Sequence, residues 1–357
     1  MSLSHLGWNA RWEAVFVDHK VLGLEPMRVA REDRDRYTLL GEAGAISGTL
    51  AGRLRHEART RMELPAVGDW VAARRFPESA TIIAVLPRVS AFVRKVAGQA
   101  TDEQVVAANI DTAFLVSGLD GDLNLRRIER HLAAAWESGA QPVVVLNKTD
   151  LVHDLAARVA EVEAIAPGTP VVPLSALVGE GLGALAGWLG EGATVALIGS
   201  SGVGKSTLAN ALLGEERQAT ATVREADSRG RHTTTHRELV PLPQGALLLD
   251  TPGMRELQLW GDNEGLEGAF PDVAVLAGQC RFRDCSHASE PGCAVRAALA
   301  DGTLDAERCA SGTKLQRELR WLASRQDARL RAEETAKWKA IHQSMKDHPK
   351  ASRWRRA

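Results

Sequence analysis

Residues 199–206 read GSSGVGKS, which fits G-x-x-x-x-G-K-[ST]. The loop sits between an apolar run, TVALIG, and a helix-forming run, KSTLANALLG, the context this motif requires. Here the backbone N–H groups of Gly199, Ser200, Ser201, Gly202, Val203 and Gly204 can curl around phosphate oxygens at a helix N-terminus. Gly202 and Gly204 permit the positive φ and close approach this needs. Lys205 can neutralise β- and γ-phosphates, Ser206 can ligate magnesium, and Thr207 can support the α-phosphate. A loop of this kind does not choose between ATP, GTP and small-molecule kinase chemistry. LLLDTPG narrows the choice: Asp250 ends an apolar run 44 residues beyond Ser206, where it can reach magnesium through water. The Gly253 N–H can then sense a γ-phosphate.

The base is read elsewhere. Asn147-Lys148-Thr149-Asp150 closes the apolar run PVVVLN, which puts these side chains at a carboxyl edge of a sheet. The Asp150 carboxylate can accept from guanine's ring N–H and its exocyclic amine. Adenine offers neither donor there, and a buried carboxylate facing it would be left unpaired, which can discriminate by ~10⁴ or more. Asn147 can contact the other guanine edge, and the Lys148 stem can lie over the ring. Ser175-Ala176 ends the next apolar run and can offer a backbone donor to the guanine carbonyl. Taken alone, NKTD also suits an Asn/Asp turn leading into a helix.

A third constellation is Cys280-x₄-Cys285-x-His287-x₅-Cys293. Three thiolates and one imidazole suit a closed tetrahedral zinc site, one zinc per chain, structural rather than catalytic because no position is left for water. Disulfides or free thiols are the alternative. Cys309, the fourth cysteine of the chain, falls outside this spacing and reads as a buried or free thiol. Gly253 precedes Cys280 by only 27 residues, so a γ-phosphate sensor would join the metal module almost directly.

Several elements must position these groups. The chain has 357 residues, 45% apolar and 25% charged, enough for two or three cores. Up to about residue 95 it reads as short strands, RWEAVFV, YTLLG, AISGTLAG, DWVAARR and ATIIAVL, which suits a small antiparallel barrel of OB type uninterrupted by helix. From Asn109 onward strand and helix signals alternate, the mark of a parallel sheet covered on both faces. THRELVPL and GALLLDTPG read as two paired strands completing it. After Trp260 strand signals stop; a Cys/His loop, a charged helix and a basic tail follow. The expected division is 1–95, 96–262 and 263–357. Net charge is −1, but from Lys314 onward 13 Lys and Arg face 5 Asp and Glu, and Arg53, Arg55, Arg59, Arg61, Arg74 and Arg75 cluster near the start. Such segments are a nucleic-acid footprint or a solvated face. No run is long enough to span a bilayer and the start does not resemble a signal peptide, so a cytoplasmic protein without membrane contact is expected. Without a long heptad pattern, a monomer is expected.

In most GTPases the phosphate loop and D-x-x-G come before N-K-x-D. Here the base reader comes first, and nothing after Gly253 resembles it. NKTD, LSA, GSSGVGKST, GRHTTT, DTPG and CRFRDCSH…EPGC occur in an order that resembles the RsgA (YjeQ) family of circularly permuted GTPases over nearly the whole chain. The resemblance implies an OB barrel, a Ras-like GTPase domain and a zinc module. It also implies GTP hydrolysis to GDP, stimulated by the small ribosomal subunit late in that subunit's maturation, with contact to its 16S rRNA.

Hydrolysis needs a positioned water. The residue after the D-x-x-G glycine, often Gln, is Met254 here, which cannot orient it. His232, in GRHTTTH between the phosphate loop and Asp250, is the candidate, and the resemblance points to the same residue. The other reading is an ordinary loop histidine. One of Thr233, Thr234 and Thr235 should complete the magnesium shell, and Thr234 is preferred. Two rivals stay open: a GTP-gated RNA-binding module with incidental hydrolysis, and a P-loop ATPase or kinase.

Overall fold

A computed structural model describes residues 2–34, 36–95, 103–121, 123–214, 237–250 and 264–326. The first helix, α1 (Ala10–Val21), corrects the sequence expectation, since it occupies RWEAVFV, read above as a strand. Asn9 caps it, its side chain accepting from the N–H groups of Arg11 and Trp12 at 3.0 and 3.4 Å. Trp12 and Phe16, four apart, are the two buried residues of its inner face, while Val15 and Val17 are exposed. Spacing of four, not alternation, was the informative period here, and packing on Trp8 and Trp70 enforces it.

Strands β1 (Glu25–Asp33), β2 (Arg36–Gly41) and β3 (Gly44–Leu50) follow, then the short helix α2 (Gly52–Glu57) and strands β4 (Trp70–Arg75) and β5 (Ser79–Val85). Their order, β1-β2-β3-β5-β4, closes through a β1–β4 pairing, and only β3–β5 is parallel. This is a closed five-stranded barrel of OB type. Met27, Val29, Tyr37, Leu39, Val71, Ala73, Ala80 and Ile82 fill it, two from each of four strands at spacing two. The sequence reading missed β1, because Pro26 and Arg28 interrupt its apolar pattern.

A hairpin, β6 (Ala91–Lys95) with β7 (Glu103–Ala108), leads to the second sheet. Its elements are β8 (Thr112–Gly118), α3 (Leu125–Ser138), β9 (Gln141–Asn147), α4 (Leu155–Ile165), β10 (Val171–Pro173), β11 (Thr194–Ile198), α5 (Lys205–Leu213), β12 (Glu238–Pro241) and β13 (Leu247–Asp250). The spatial order is β10-β9-β8-β11-β13-β12, parallel except for β12. Alternate residues serve opposite cores: Phe114, Val116, Val143 and Val145 pack on one face, Ala113, Leu115, Val144 and Leu146 on the other. The expected parallel sheet and the terminal antiparallel pair are both present.

The barrel and the second sheet are continuous, because β1 pairs antiparallel with β12 where Arg31 stands opposite Glu238. They are further fastened by Arg28, which is 2% exposed. It donates to the carbonyls of Leu6, Gly68 and Asn109 at 2.5, 3.2 and 3.0 Å, tying the N-terminal segment, the barrel and the start of the second sheet together. Burial pushes its pKa down to about 10, so the guanidinium stays charged at neutral pH.

The C-terminal part is helical: α6 (Glu264–Ala269), α7 (Pro271–Gly278), α8 (Ala294–Asp301) and α9 (Ala306–Gln326). The rest of the charged helical run and the basic tail lie outside the described residues. Among the described residues, no helix is long and apolar enough to cross a membrane.

Candidate functional site

The carboxyl ends of β9, β8 and β11 lie side by side, although β11 follows β9 by some fifty residues of chain. β11 stops at Ile198 and the Gly-rich loop begins. At Gly204 φ is +93°, and a Cβ there would stand 2.2 Å from Asn147 Nδ2, so the position needs glycine both for its backbone and for space. Val203 is buried and anchors the loop, while Ser201 and Gly202 are exposed at its tip. The N-cap of α5 is Gly204, which has no side chain to accept from the N–H groups of the first turn, as suits a helix start that meets an anion. Lys205 Nζ lies over the loop, donating to the carbonyls of Gly199 and Ser200 at 2.7 and 2.5 Å. Ser206 and Thr207 are half-buried in that first turn.

Asn147 joins this loop to the base-reading segment. It is 2% exposed at the end of β9. Its Nδ2 donates to the Val203 carbonyl at 2.9 Å, and its Oδ1 accepts from the Ala176 N–H at 2.9 Å. One buried amide thus holds NKTD, the Ser175-Ala176 turn and the phosphate loop in fixed relation. Lys148 has a left-handed backbone (φ +68°), and its ammonium pairs with Asp120, which follows β8. Thr149, Asp150 and Leu151 form one 3₁₀ turn. Asp150 is exposed, where the sequence reading expected a buried carboxylate, because it stands on a surface 3₁₀ turn beyond the end of β9. Its Oδ1 accepts from the Ser175 hydroxyl at 2.5 Å, which fixes the carboxylate's direction. An exposed, oriented acceptor is what a base with two adjacent donors requires.

β13 ends at Asp250, beside β11. Its side chain, together with His232, Thr234, Gly253 and Met254, lies outside the described residues. Sequence reasoning missed Arg127, whose Nη1 donates to the Ser200 hydroxyl at 2.8 Å. It also missed His131, buried on the same helix, whose pKa is pushed down to about 4 by burial and by Arg127, Lys205 and Arg130. No local signal marks either residue, since 73 positions separate Arg127 from Ser200.

The four expected metal ligands do come together. Cys280 Sγ, Cys285 Sγ, His287 and Cys293 Sγ lie within 4.8 Å of one another. Cys280 Sγ is 3.9 Å from Cys293 Sγ and 3.6 Å from His287 Nδ1, and His287 Nδ1 is 3.4 Å from Cys293 Sγ. Zinc–sulfur bonds of about 2.3 Å in a tetrahedron give edges of about 3.8 Å, so the cluster fits zinc. His287 has φ +59°, a left-handed backbone held by its loop. Glu290 holds that loop: its carboxylate accepts from the N–H groups of Ser286, Ala288 and Ser289 and from the Ser286 hydroxyl. Ser286 foremost, with the loop amides, pulls the Glu290 pKa down to about 2. Cys293 caps α8, its sulfur accepting from the Arg296 N–H at 3.4 Å. Cys309 is half-buried beside the cluster but is not part of it, and burial pushes its thiol pKa up.

The family model for the RsgA GTPase matches residues 85–260. A model for the ABC transporter matches residues 183–347, a stretch that holds the phosphate loop but not Asn147–Asp150. The phosphate loop itself serves ATP and GTP alike. Relatives named small ribosomal subunit biogenesis GTPase RsgA include one from Opitutus terrae, 55% identical and covering 97% of each chain. Another, from Syntrophotalea carbinolica, is 47% identical and covers 100% of this chain and 98% of its own. Among solved structures, YjeQ from Thermotoga maritima superposes with a TM-score of 0.64 at 28% identity, over 83% of this chain and 98% of its own. YloQ, described as a circularly permuted GTPase, gives a TM-score of 0.59 at 21% identity over 83% and 95%, a likeness of fold.

Proposed function

The chain belongs to the RsgA family of circularly permuted GTPases, and on that premise we propose that it hydrolyses GTP to GDP while bound to the small ribosomal subunit, late in that subunit's maturation. The observation that carries the reading is Asn147, one buried amide tying the base-reading turn to the phosphate loop. It supports a single site that holds guanine at one end and phosphates at the other.

In this reading Asp150, oriented by Ser175, accepts from guanine, while the Ala176 N–H, expected from the sequence to meet guanine's carbonyl, donates to Asn147 and serves the spacing of the site. Asn147 sets the spacing, Lys148 and Thr149 flank the ring, and residues 199–207 hold the phosphates. Lys205 exchanges its loop carbonyls for phosphate oxygens. Magnesium would be held by Ser206 and Thr234, with Asp250 reaching it through water, and would offset charge on the β- and γ-phosphates. Gly253 senses the γ-phosphate and His232 orients the attacking water. Cys280, Cys285, His287 and Cys293 hold one structural zinc, and its role is to give the loop around them a fold.

The same reading places contact on 16S rRNA, through the arginine-rich barrel and the metal module. It describes a cytoplasmic monomer without membrane contact, divided at 1–95, 96–262 and 263–357. The hairpin β6–β7 straddles the first boundary. GTP state sets the pose of the metal module and so controls release from the subunit.

Turnover of GTP measured with and without small ribosomal subunits, with ATP as the control, tests this. Stimulation of GTP turnover alone is expected. Equal rates with and without subunits leave instead a GTP-gated RNA-binding module, the reading that Met254 favours. His232→Ala should keep GTP affinity and lose the stimulated rate; unchanged stimulation removes His232 from the mechanism.

A further inference from the structure

Helix α3 touches both the phosphate loop and the C-terminal module, on opposite flanks. On the first flank Arg127 Nη1 donates to Ser200 Oγ at 2.8 Å, and the Ser200 carbonyl accepts from Lys205 Nζ at 2.5 Å. One turn on, His131 is buried facing Arg127, Lys205 and Arg130. Phosphate oxygens compete with the Gly199 and Ser200 carbonyls for Lys205, so a loaded loop changes the surroundings of the residue Arg127 holds.

On the other flank α3 is the seat of the C-terminal helices. Gly265 and Gly268 of α6 lie so close that a Cβ would come within 2.5 Å of the Ala133 carbonyl and 2.7 Å of the Trp136 ring. Glu137 accepts from the Gly265 N–H at 3.1 Å. Glu129, fully buried, accepts from Arg126 at 2.7 Å and from Arg308 of α9 at 3.2 Å. Arg126 also reaches Glu307 at 3.1 Å, and both terminal nitrogens of Arg130 pair with Glu318. Arg308 itself is buried, donating to Asp272, to the Ala269 carbonyl and to the Ile165 carbonyl. Between these contacts α3 is 14 residues, about 20 Å of continuous helix, capped by Asn124 and closed by Gly139.

We propose that α3 carries the state of the phosphate loop to α9 and the metal module, with Arg127 as the positioning residue at the loop end and the Arg130–Glu318 pair as the grip at the other. This deepens, and rests on, the reading in which nucleotide controls the module's pose. It adds a route independent of the chain connection from Gly253 to Cys280. Two side-chain contacts made from one continuous helix connect the loop to α9 through that helix, and a measured coupling between its ends is what the connection must show.

Hydrogen exchange of the full chain, compared between GDP and a non-hydrolysable GTP analogue, reads α9 over residues 306–326. The wild-type protein should show a nucleotide-dependent difference there. Arg127→Ala should cut that difference by about fourfold or more, and Arg127→Lys, which keeps one donor to Ser200, should restore part of it. Glu318→Gln, remote from the nucleotide, should cut it similarly with GTP affinity unaltered. Should Arg127→Ala not fold, Ser200→Ala breaks the same contact from the loop side and should give the same loss. An undiminished difference in the variants, or no difference in the wild-type protein, overturns the proposal. Unstimulated GTP turnover on ribosomal subunits would instead overturn the functional reading while leaving the exchange result intact.

Discussion

The candidate nucleotide region and the Cys/His cluster that fits zinc are built by opposite means. Beneath the phosphate loop lies a sheet whose strands β8, β9 and β11 are buried, and the loop is held by Val203, Asn147 and close backbone contacts. It can take shape from packing alone. Among the described residues the metal module has no strand; its own buried cluster is Cys293, Val295, Ala298 and Leu304, and its loop is organised by Glu290 and by four side chains whose ligand atoms lie close together. Where packing supplies the geometry, a ligand selects; where it does not, the ligand supplies the geometry as well.

The largest effect should come from removing the metal. Chelation, or Cys293→Ser, should unfold α7–α8 and the loop between them, since structural zinc is worth on the order of 10 kcal/mol to small modules that fold around it. Metal analysis should give one zinc per chain in the untreated protein, and hydrogen exchange should show the loss confined to the C-terminal part. A metal-free protein with that part still protected would break the comparison. Next in size is Asp150→Asn, which leaves the fold intact and should weaken guanine nucleotides by about 10³-fold or more, since a donor then faces guanine's donors. Titration with a fluorescent guanine nucleotide checks it.

His131 sharpens the comparison from the side of packing. Its pKa of about 4 lies below the ordinary value near 6.5, so the unfolded chain takes up the proton first. Stability is therefore complete above pH 6.5 and falls as pH drops toward 4, by up to about 3 kcal/mol from this group. His131→Gln should flatten that slope in urea titrations of the nucleotide region. The smallest effect is expected at Glu290, which touches the loop amides and not the metal. Glu290→Gln should lower zinc affinity by about 10- to 100-fold, as loss of a partner behind metal ligands does, without changing nucleotide affinity.

The same contrast explains what could be read from sequence. NKTD, GSSGVGKST and the Cys/His spacing are local: the residues that act together lie a few positions apart, on a strand end or in one loop. The barrel strands β2 to β5 were legible from alternation. Helix α1 was not, because Trp12 and Phe16 are decided by Trp8 and Trp70, the latter more than fifty residues away. Strand β1 hid behind Arg28, a buried cation whose acceptors come from three separate segments. Arg127, His131 and the Arg308–Glu129 contact were invisible for the same reason, since each exists only once α3 is packed between the phosphate loop and α9.

The most direct test combines the two regions: GTP turnover, with and without small ribosomal subunits, by the intact and the zinc-stripped protein. The expected result is equal basal turnover in both and stimulation only in the intact protein, since the nucleotide region stands without metal and the module carries the subunit's signal. Equal stimulation of the stripped protein would contradict that division of labour.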